Sequence, residues 1–198
     1  SPSPEIAALA KAELPPVVAA DSQGRYLLQL SRDLYPGIKT LSEPELRLAG
    51  LRVNPDKNIS SRLRYYTGIS IQLLENPKRN PNAIDSRAAT VPVSNLPTGA
   101  QIAYVTWSPD EQRVAFTLTE ATGVALWVLE LASAKARQLT EPNLNANLGR
   151  PFTWDADSQS LIVKVVPDSR KPLINPKQAV PTGPAVSISQ GEKAQNRT

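Results

Sequence analysis

The sequence contains no cysteine, no histidine and no methionine. Without cysteine, the chain has neither disulfides nor thiolate metal ligands. Without histidine, it lacks the commonest general base and the commonest metal ligand, so a Ser-His-Asp triad cannot be assembled from these residues alone. We therefore predict that this chain contributes no catalytic residue, no metal site and no cofactor site.

Long apolar runs and blocks of like charge are also scarce. No segment approaches the roughly 20 apolar residues that span a bilayer, and this predicts that no part of the chain crosses a membrane. The formal net charge is +4, from 22 basic and 18 acidic residues. Because the like charges do not form blocks, we predict no nucleic-acid partner.

The missing methionine and cysteine also bear on processing and location. A chain without methionine does not begin at its own initiator, so we expect its N-terminus to come from processing or truncation. The absence of cysteine suits a protein that works outside the cytoplasm. We expect a periplasmic or secreted location in preference to a cytoplasmic one, with an organelle as the alternative.

What the sequence does contain is a repeated unit. The segment "TWSPDEQRVAFTL" (106–118) is echoed by "TWDADSQSLIVKV" (153–165), and Trp154 follows Trp107 by 47 residues (154 − 107). A third and more divergent copy, "VVAADSQGRYLLQLSR" (17–32), aligns when Asp21 is placed with Asp110 and Asp157. The longer interval between the first and second copies leaves room for one degraded repeat.

Four strand-like runs lie between residues 101 and 139: QIAYVTW, RVAFTLT, VALWVLEL and ARQL. The runs are rich in β-branched, aromatic and other apolar residues, and turn-forming residues separate them. Four short antiparallel strands followed by repetition are typical of a β-propeller blade. We therefore predict an all-β fold of four-stranded antiparallel blades that form an incomplete propeller, with residues 101–140 as its best-defined blade.

The repeated Trp and Asp residues have structural roles in this interpretation. One four-stranded sheet cannot cover both of its faces, so the copies stack and bury each other. We expect Trp107 and Trp154 to pack between blades. The carboxylates of Asp21, Asp110 and Asp157 are expected to accept hydrogen bonds from backbone N–H groups of their turns.

The rest of the chain is organised around these repeats. Residues 1–16 are predicted to form an arm with a helix at 6–14, and residues 17–198 a partial propeller domain. Within that domain, proline-broken residues 33–64 are predicted to form an irregular excursion with one helical turn at 44–48, where a Pro at the first helical position is favourable. Short strands are predicted at 89–93 and 185–189.

These motifs resemble a known family. The WSPD turn and the strand at Leu126-Trp127 resemble the propeller repeats of prolyl oligopeptidase-family serine peptidases and of TolB-like proteins. "ELRLAGLRVNP" (45–55), "LNANLGRPFTW" (144–154) and "VPDSRKPLINPKQAVPTGPAVSISQGEKAQNRT" (166–198) are similar to segments of the glutamyl endopeptidase branch of that family. The chain departs from the pattern at Glu111, where glycine is usual and where a positive φ favours glycine.

The resemblance implies that this chain is the N-terminal, non-catalytic part of a serine endopeptidase. Further blades and a C-terminal α/β-hydrolase domain with the Ser, Asp and His would lie outside it. The implied partners are a peptide or protein substrate and the remainder of the same polypeptide. Four arginines (Arg47, Arg52, Arg62 and Arg64) lie in or after the family-like segment. If the parent cleaves after Glu, arginine suits the substrate carboxylate, and Arg52 and Arg62 are the predicted substrate-binding residues.

Other interpretations remain open. The arginines could instead form surface or inter-blade salt bridges. The chain could be a stand-alone TolB-like propeller scaffold that binds a protein partner. A basic module that binds an acidic polymer is a third possibility, and the scarcity of clustered Lys and Arg weakens it.

Overall fold

The computed structural model describes residues 3–10, 14–74 and 89–171. The chain up to Asp168 forms one compact unit, and of a second unit that begins at Ser169 only residues 169–171 are described. Within these ranges the protein is all-β, with thirteen strands in four antiparallel sheets and two short helices. The predicted fold class is confirmed, and the arrangement is consistent with an incomplete propeller-like fold.

The strands are, in chain order, β1 (Val17–Ala20), β2 (Tyr26–Ser31), β3 (Leu46–Leu48), β4 (Leu51–Asn54), β5 (Ile59–Ser60), β6 (Gly68–Leu73), β7 (Thr90–Pro92), β8 (Ile102–Trp107), β9 (Arg113–Thr119), β10 (Val124–Glu130), β11 (Lys135–Gln138), β12 (Phe152–Trp154) and β13 (Leu161–Val163). The helices are α1 (Pro4–Ala10) and α2 (Ile38–Leu41). The strand predicted at 185–189 lies outside the described residues.

Helix α1 begins directly after Ser3. The Ser3 hydroxyl accepts a long hydrogen bond from the N–H of Ile6 (3.4 Å), and Pro4 stands at the first helical position, where its missing N–H costs nothing. Ile6 and Leu9 are exposed. The helix therefore starts two residues before the predicted 6–14 stretch, and residues 11–13 are outside the description.

The first four-stranded sheet has the order β1-β2-β6-β7. Its strands follow the chain order, but residues 32–67 are inserted between β2 and β6. The register pairs Leu28 with Ile71 and Leu30 with Ile69, so these four apolar side chains share one face. The interval between the first two sequence repeats thus contains an insertion and the second half of the same sheet, and the interpretation as a degraded repeat is wrong.

The insertion contains α2 and a three-stranded sheet of order β3-β4-β5, here called the inserted sheet. The helical turn predicted at 44–48 is wrong, because Leu46–Leu48 is a strand that pairs with β4. Ala49 (φ 44°) and Gly50 (φ 89°) join these two strands. Two consecutive positive φ angles suit the tight connection of a hairpin, and strand pairing overrides the local helical signal.

The second four-stranded sheet is an antiparallel meander of β8, β9, β10 and β11. All four strands predicted between 101 and 139 are present. Their bounds differ from the predicted runs by at most one residue at either end. The hairpin of β12 and β13 follows, and it pairs Phe152 with Val163 and Trp154 with Leu161.

The second sheet is buried on both faces. Alternate residues of β9 belong to two different hydrophobic clusters. Val114, Phe116 and Leu118 are in the first cluster, and Ala115 is in the second. The first hydrophobic cluster contains residues of both four-stranded sheets and so joins them. The second hydrophobic cluster joins the β8–β11 sheet to the β12–β13 hairpin and to Ile59 of the inserted sheet. Period-2 alternation with apolar residues on both faces is what stacked sheets require.

Candidate functional site

Three six-residue turns have the same backbone hydrogen bonds: Asp21–Tyr26, Ser108–Arg113 and Asp155–Ser160. In each turn the N–H of the first residue donates to the C=O of the sixth, at 3.1, 2.9 and 2.9 Å. The N–H of the fourth residue donates to the C=O of the first, at 3.2, 2.9 and 3.1 Å. The three copies of the sequence repeat are therefore equivalent in structure.

This equivalence corrects the alignment that was based on acidic residues. Asp21 is the first residue of its turn and corresponds to Ser108 and Asp155, whereas Asp110 and Asp157 are third residues. The alignment was wrong by two positions. The physical reason is that a carboxylate at either position can accept N–H groups from the same turn, so the residue type does not fix the register.

Asp21 is a buried carboxylate satisfied by its own turn. One of its oxygens accepts hydrogen bonds from the backbone N–H groups of Arg25 (2.6 Å) and Tyr26 (2.9 Å), and the other accepts one from Arg25 Nε (2.8 Å). Burial acts to raise the pKa of Asp21, but the hydrogen bonds from Tyr26 and Arg25 outweigh it and hold the pKa below its usual value.

Asp110 and Asp157 also accept hydrogen bonds within their turns. Asp110 accepts from the Ser108 hydroxyl (2.6 Å) and the Gln112 N–H (3.1 Å), and the Ser108 bond is the main cause of its lowered pKa. Asp157 accepts from the Ser160 hydroxyl (2.6 Å), which is likewise the main cause of its lowered pKa. In the part of the chain that the structure describes, no group of acidic side chains is arranged to hold a metal ion.

The fourth residue of each turn has a positive φ, and in the second and third turns its side chain contacts the preceding turn. Gly24, Glu111 and Ser158 occupy this position with φ of 64°, 55° and 60°. Glu111, found where the family pattern has glycine, accepts hydrogen bonds from the N–H and hydroxyl of Ser22 in the preceding turn (both 2.8 Å). Ser158 accepts one from the N–H of Asp110 through its hydroxyl oxygen (3.0 Å).

Trp107 and Trp154 contact different hydrophobic clusters. Trp107 packs against the first cluster and Trp154 against the second. The indole N–H of Trp154 also donates a hydrogen bond to the C=O of Thr106 in β8 (3.2 Å). Trp154 therefore links the β12–β13 hairpin to the first strand of the second sheet.

Of the two predicted substrate-binding residues, Arg52 lies in β4 of the inserted sheet and Arg62 lies in the turn that follows β5. Arg47 and Arg52 are directly opposite each other in the β3–β4 register, and Ser61 continues this row through its N–H, which donates to the C=O of Arg52 (3.0 Å). Two like charges opposite each other destabilise a sheet. The carboxylate of Glu45, which immediately precedes β3, offsets that repulsion.

Glu45 is the centre of this arginine cluster. Its Oε2 accepts a hydrogen bond from the Ser61 hydroxyl (2.7 Å) and lies 2.9 Å from Arg62 Nε in an ion pair. Its Oε1 accepts from Arg47 Nε (3.2 Å), Arg62 Nη2 (3.3 Å) and Arg52 Nη1 (3.4 Å). The hydrogen bond from Ser61, together with the hydrogen bond and charge of Arg62 and the hydrogen bond from Arg47, outweighs the effect of burial and lowers the pKa of Glu45 to about 2.

The structure thus brings Arg52 and Arg62 together, with Arg47 as a third member that sequence reasoning did not select. The exposed fractions of the side chains are 72% for Arg47, 38% for Arg52, 64% for Arg62 and 17% for Glu45. The symmetric "LRL-AG-LRV" pattern around Gly50 was the available signal, because a two-residue hairpin places Arg47 opposite Arg52. Arg64 is exposed and does not contact Glu45 in the described structure.

A second glutamate anchors the same segment. Glu43 accepts a hydrogen bond from Asn54 Nδ2 (2.7 Å) and forms an ion pair with Lys57. Asn54 is buried, and its Oδ1 accepts from the N–H groups of Asp56 and Lys57 (both 3.1 Å). The segment around Pro44 is therefore held against the inserted sheet at two carboxylates.

Comparison with known proteins identifies larger relatives. No protein-family model matches the chain. It is 30% identical, over 199 residues, to a protein of Oryza sativa subsp. japonica named "Probable glutamyl endopeptidase, chloroplastic", covering 96% of this chain and 20% of that protein. It is 31% identical, over 197 residues, to a protein of the same name from Arabidopsis thaliana, covering 92% and 19%.

These matches show a distant relationship to a larger protein with a peptidase name. The chain spans about a fifth of the length of the curated relatives that it matches. The names of both relatives assign those proteins to an organelle, the chloroplast. In the described ranges, neither helix is long and apolar enough to cross a membrane.

Proposed function

We propose that this chain is the N-terminal propeller portion of a serine endopeptidase of the prolyl oligopeptidase family, in the glutamyl endopeptidase branch. The observation that carries the proposal is the similarity, over nearly the whole chain, to two proteins named as probable glutamyl endopeptidases. The stacked four-stranded sheets are compatible with it. The chain itself has no histidine, so the Ser-His-Asp machinery would be supplied by an α/β-hydrolase domain outside it.

In this proposal the chain orients and gates the peptide substrate. Arg52 and Arg62 bind the acidic side chain at the cleaved position, because a guanidinium pairs with a carboxylate through two parallel hydrogen bonds. The exposure of Arg62 and the excess of positive charge around Glu45 support this role. The contacts with Glu45 equally suit a structural role, and the experiment below separates the two.

The rival is a stand-alone propeller scaffold with a protein partner. Exposed apolar side chains in the insertion, among them Tyr35, Ile38 and Leu41, would serve such a partner. The peptidase interpretation is favoured because both matched relatives have peptidase names and are about five times as long as this chain. For location we propose a compartment outside the cytoplasm, and the relatives' names favour an organelle over secretion.

Peptidase assays on this chain and on the full-length parent test the proposal. We expect the chain alone to hydrolyse no peptide, and the parent to cleave after Glu and to lose activity with a serine-directed inhibitor. Cleavage by the 198 residues alone, or a parent without serine-dependent activity, would overturn the proposal.

The role of the arginines is tested in the parent by Arg52→Gln and Arg62→Gln. Loss of a charged partner at a buried contact costs about 2–5 kcal/mol, so kcat/KM for a Glu substrate should fall roughly 30-fold or more. Turnover of a neutral substrate should change little. Arg64→Gln is the matched control, and equal losses on both substrates would assign Arg52 and Arg62 a purely structural role.

A further inference from the structure

We propose that Arg47 and Arg62, oriented by Glu45, form a receptor for a second carboxylate, and that its ligand is the side chain of a glutamate in a peptide. This inference rests on the proposed function for the nature of the ligand. It differs from the proposed substrate site in three respects. It adds Arg47, it leaves Arg52 outside the receptor, and it makes Glu45 a positioning residue.

The charge balance of the cluster leaves it able to bind another anion. Three guanidinium groups surround one carboxylate, so the cluster has two positive charges in excess. The other nearby carboxylate, Glu43, is already paired with Lys57. Arginines that are held close together around a single carboxylate attract a second one, and they do so more strongly than separated surface arginines because their fields add.

The geometry shows which nitrogens are left for that second carboxylate. Arg62 binds Glu45 through Nε and Nη2, which form one edge of the guanidinium, and Arg47 binds it through Nε. These contacts leave Nη1 of Arg62, and both Nη1 and Nη2 of Arg47, without a hydrogen bond to Glu45. A guanidinium fork matches the two oxygens of a carboxylate. Arg52 contacts Glu45 through its terminal Nη1, so one nitrogen of its fork is engaged, as Nη2 is in Arg62, and it is exposure that separates these two arginines.

Exposure points to the same two residues. Arg47 and Arg62 are the most exposed members of the cluster, whereas the side chain of Arg52 is only 38% exposed. A ligand carboxylate can therefore approach Arg47 and Arg62 without displacing any protein group. Displacing Glu45 would exchange one carboxylate for another, and the intramolecular carboxylate has the advantage of a high effective concentration.

Glu45 is assigned a positioning role because it is itself fixed. It accepts four hydrogen bonds from four residues, three of which are the arginines, and Arg62 Nε makes a further ion-pair contact with it. Long arginine side chains lose considerable rotamer freedom when they bind a ligand. Arginines that are already held by Glu45 have lost part of that freedom before the ligand arrives, so binding costs less.

The test measures binding of short blocked peptides to the chain by isothermal titration calorimetry. The probe is acetyl-Ala-Glu-Ala-amide, and acetyl-Ala-Gln-Ala-amide is its neutral counterpart. We expect the Glu peptide to bind measurably tighter, and we expect Arg47→Gln and Arg62→Gln each to weaken it about tenfold. Arg64→Gln, which removes the same charge nearby without touching Glu45, should weaken it less than about threefold. Equal effects of the three substitutions would overturn the site.

Glu45→Gln decides the positioning role by the sign of its effect. If Glu45 only repelled or competed with the ligand, removing its charge would tighten binding of the Glu peptide. If Glu45 orients the arginines, binding weakens although a negative charge has gone. Weaker binding is expected, and tighter binding would overturn the positioning role. Circular dichroism spectra that match the unaltered chain verify that the variant is folded, and Glu45→Asp, which keeps the charge on a shorter stem, should give an intermediate loss.

Two further comparisons are needed. One distinguishes a glutamate side chain from a C-terminal carboxylate as the ligand, and the other distinguishes the carboxylate receptor from the peptidase proposal. Acetyl-Ala-Gln-Ala with a free C-terminal carboxylate should bind no better than its amide, and preferential binding of that peptide would overturn the assignment to a glutamate side chain. The binding experiments do not require catalysis. If the Glu peptide binds as expected but the parent cleaves nothing, the peptidase proposal fails and the carboxylate receptor stands. If the parent cleaves after Glu but no variant affects binding, the carboxylate receptor fails and the peptidase proposal stands.

Discussion

The carboxylate of Glu111 accepts two hydrogen bonds from Ser22, a residue 89 positions earlier in the chain, while its own backbone lies in the left-handed region. One residue thus combines a conformational cost with a contact between consecutive turns. Glycine would remove the cost, but it would lose the contact. The pairing explains how a glutamate is accommodated at a position that favours glycine, and its two components can be measured separately.

Glu111→Ala and Glu111→Gly separate strain from contact. Both substitutions remove the hydrogen bonds to Ser22, but only alanine keeps the cost of a Cβ at positive φ. We expect the glycine variant to be the more stable of the two by about 1 kcal/mol in urea unfolding. Ser22→Ala, which removes one of the two hydrogen bonds, should cost less than Glu111→Ala. An alanine variant as stable as the glycine variant would mean that the turn has left the left-handed conformation.

The two repeated tryptophans should differ in their response to substitution by phenylalanine. Trp154→Phe removes an indole N–H that binds the C=O of Thr106, whereas the indole of Trp107 makes no hydrogen bond in the described part of the structure. Both variants lose the same ring atoms. We expect the unfolding free energy to fall by about 1 kcal/mol more for Trp154→Phe. Equal losses would show that the hydrogen bond contributes nothing beyond packing.

The regular sheets were predictable because their signals are local. In β9 and β10 successive side chains point to opposite faces of the sheet, and all of them except Arg113, Trp127 and Glu130 are buried. Turn residues bound each strand, so strand type and limits follow from neighbouring residues alone. The inserted sheet was not predictable in this way. The segment Glu45–Leu48 follows Pro44 and has local features of a helix start, and only its pairing with β4 makes it a strand.

The arginine cluster shows the same limit at the level of the site. Arg52 and Arg62 could be selected from residue type and resemblance, but their common contact with Glu45 spans 7 and 17 residues of sequence. Those contacts depend on the register of the inserted sheet, which the sequence analysis did not predict. Glu45 was therefore missed, and Arg47 was named among the four arginines but not selected, although the symmetry of the hairpin sequence contained the information.

Acid should reveal the stabilising role of Glu45. Its pKa is about 2 in the folded protein and about 4.5 when unperturbed. Between these values the unfolded chain takes up a proton that the folded protein does not, so the stabilisation is full above about pH 5 and is lost as the pH falls toward 2. We expect the unaltered chain to be more stable than Glu45→Gln at pH 7, and the gap to narrow by pH 3. Asp21, Asp110 and Asp157 titrate in both proteins, so the difference isolates Glu45. A gap that stays constant between pH 7 and pH 3 would contradict the lowered pKa.

Gly123→Ala tests the packing between the second sheet and the segment that follows it. A Cβ at Gly123 would lie 1.9 Å from the carbonyl oxygen of Pro142, and this oxygen belongs to backbone that cannot rotate away. The next residues are joined by a hydrogen bond from the N–H of Leu144 to the C=O of Val124 (3.0 Å), and Leu144 is fully buried in the second cluster, so any displacement of Pro142 disturbs core packing. We expect a loss of about 1–3 kcal/mol in unfolding free energy, measured by urea titration.

Gly37→Ala is the matched control, because Gly37 has a φ of −63° and nothing within 4 Å of an added Cβ. Its effect should stay within about 0.5 kcal/mol. If both substitutions are equally mild, the segment at Pro142 is free to move away from β10, and its close approach to Gly123 contributes little to stability.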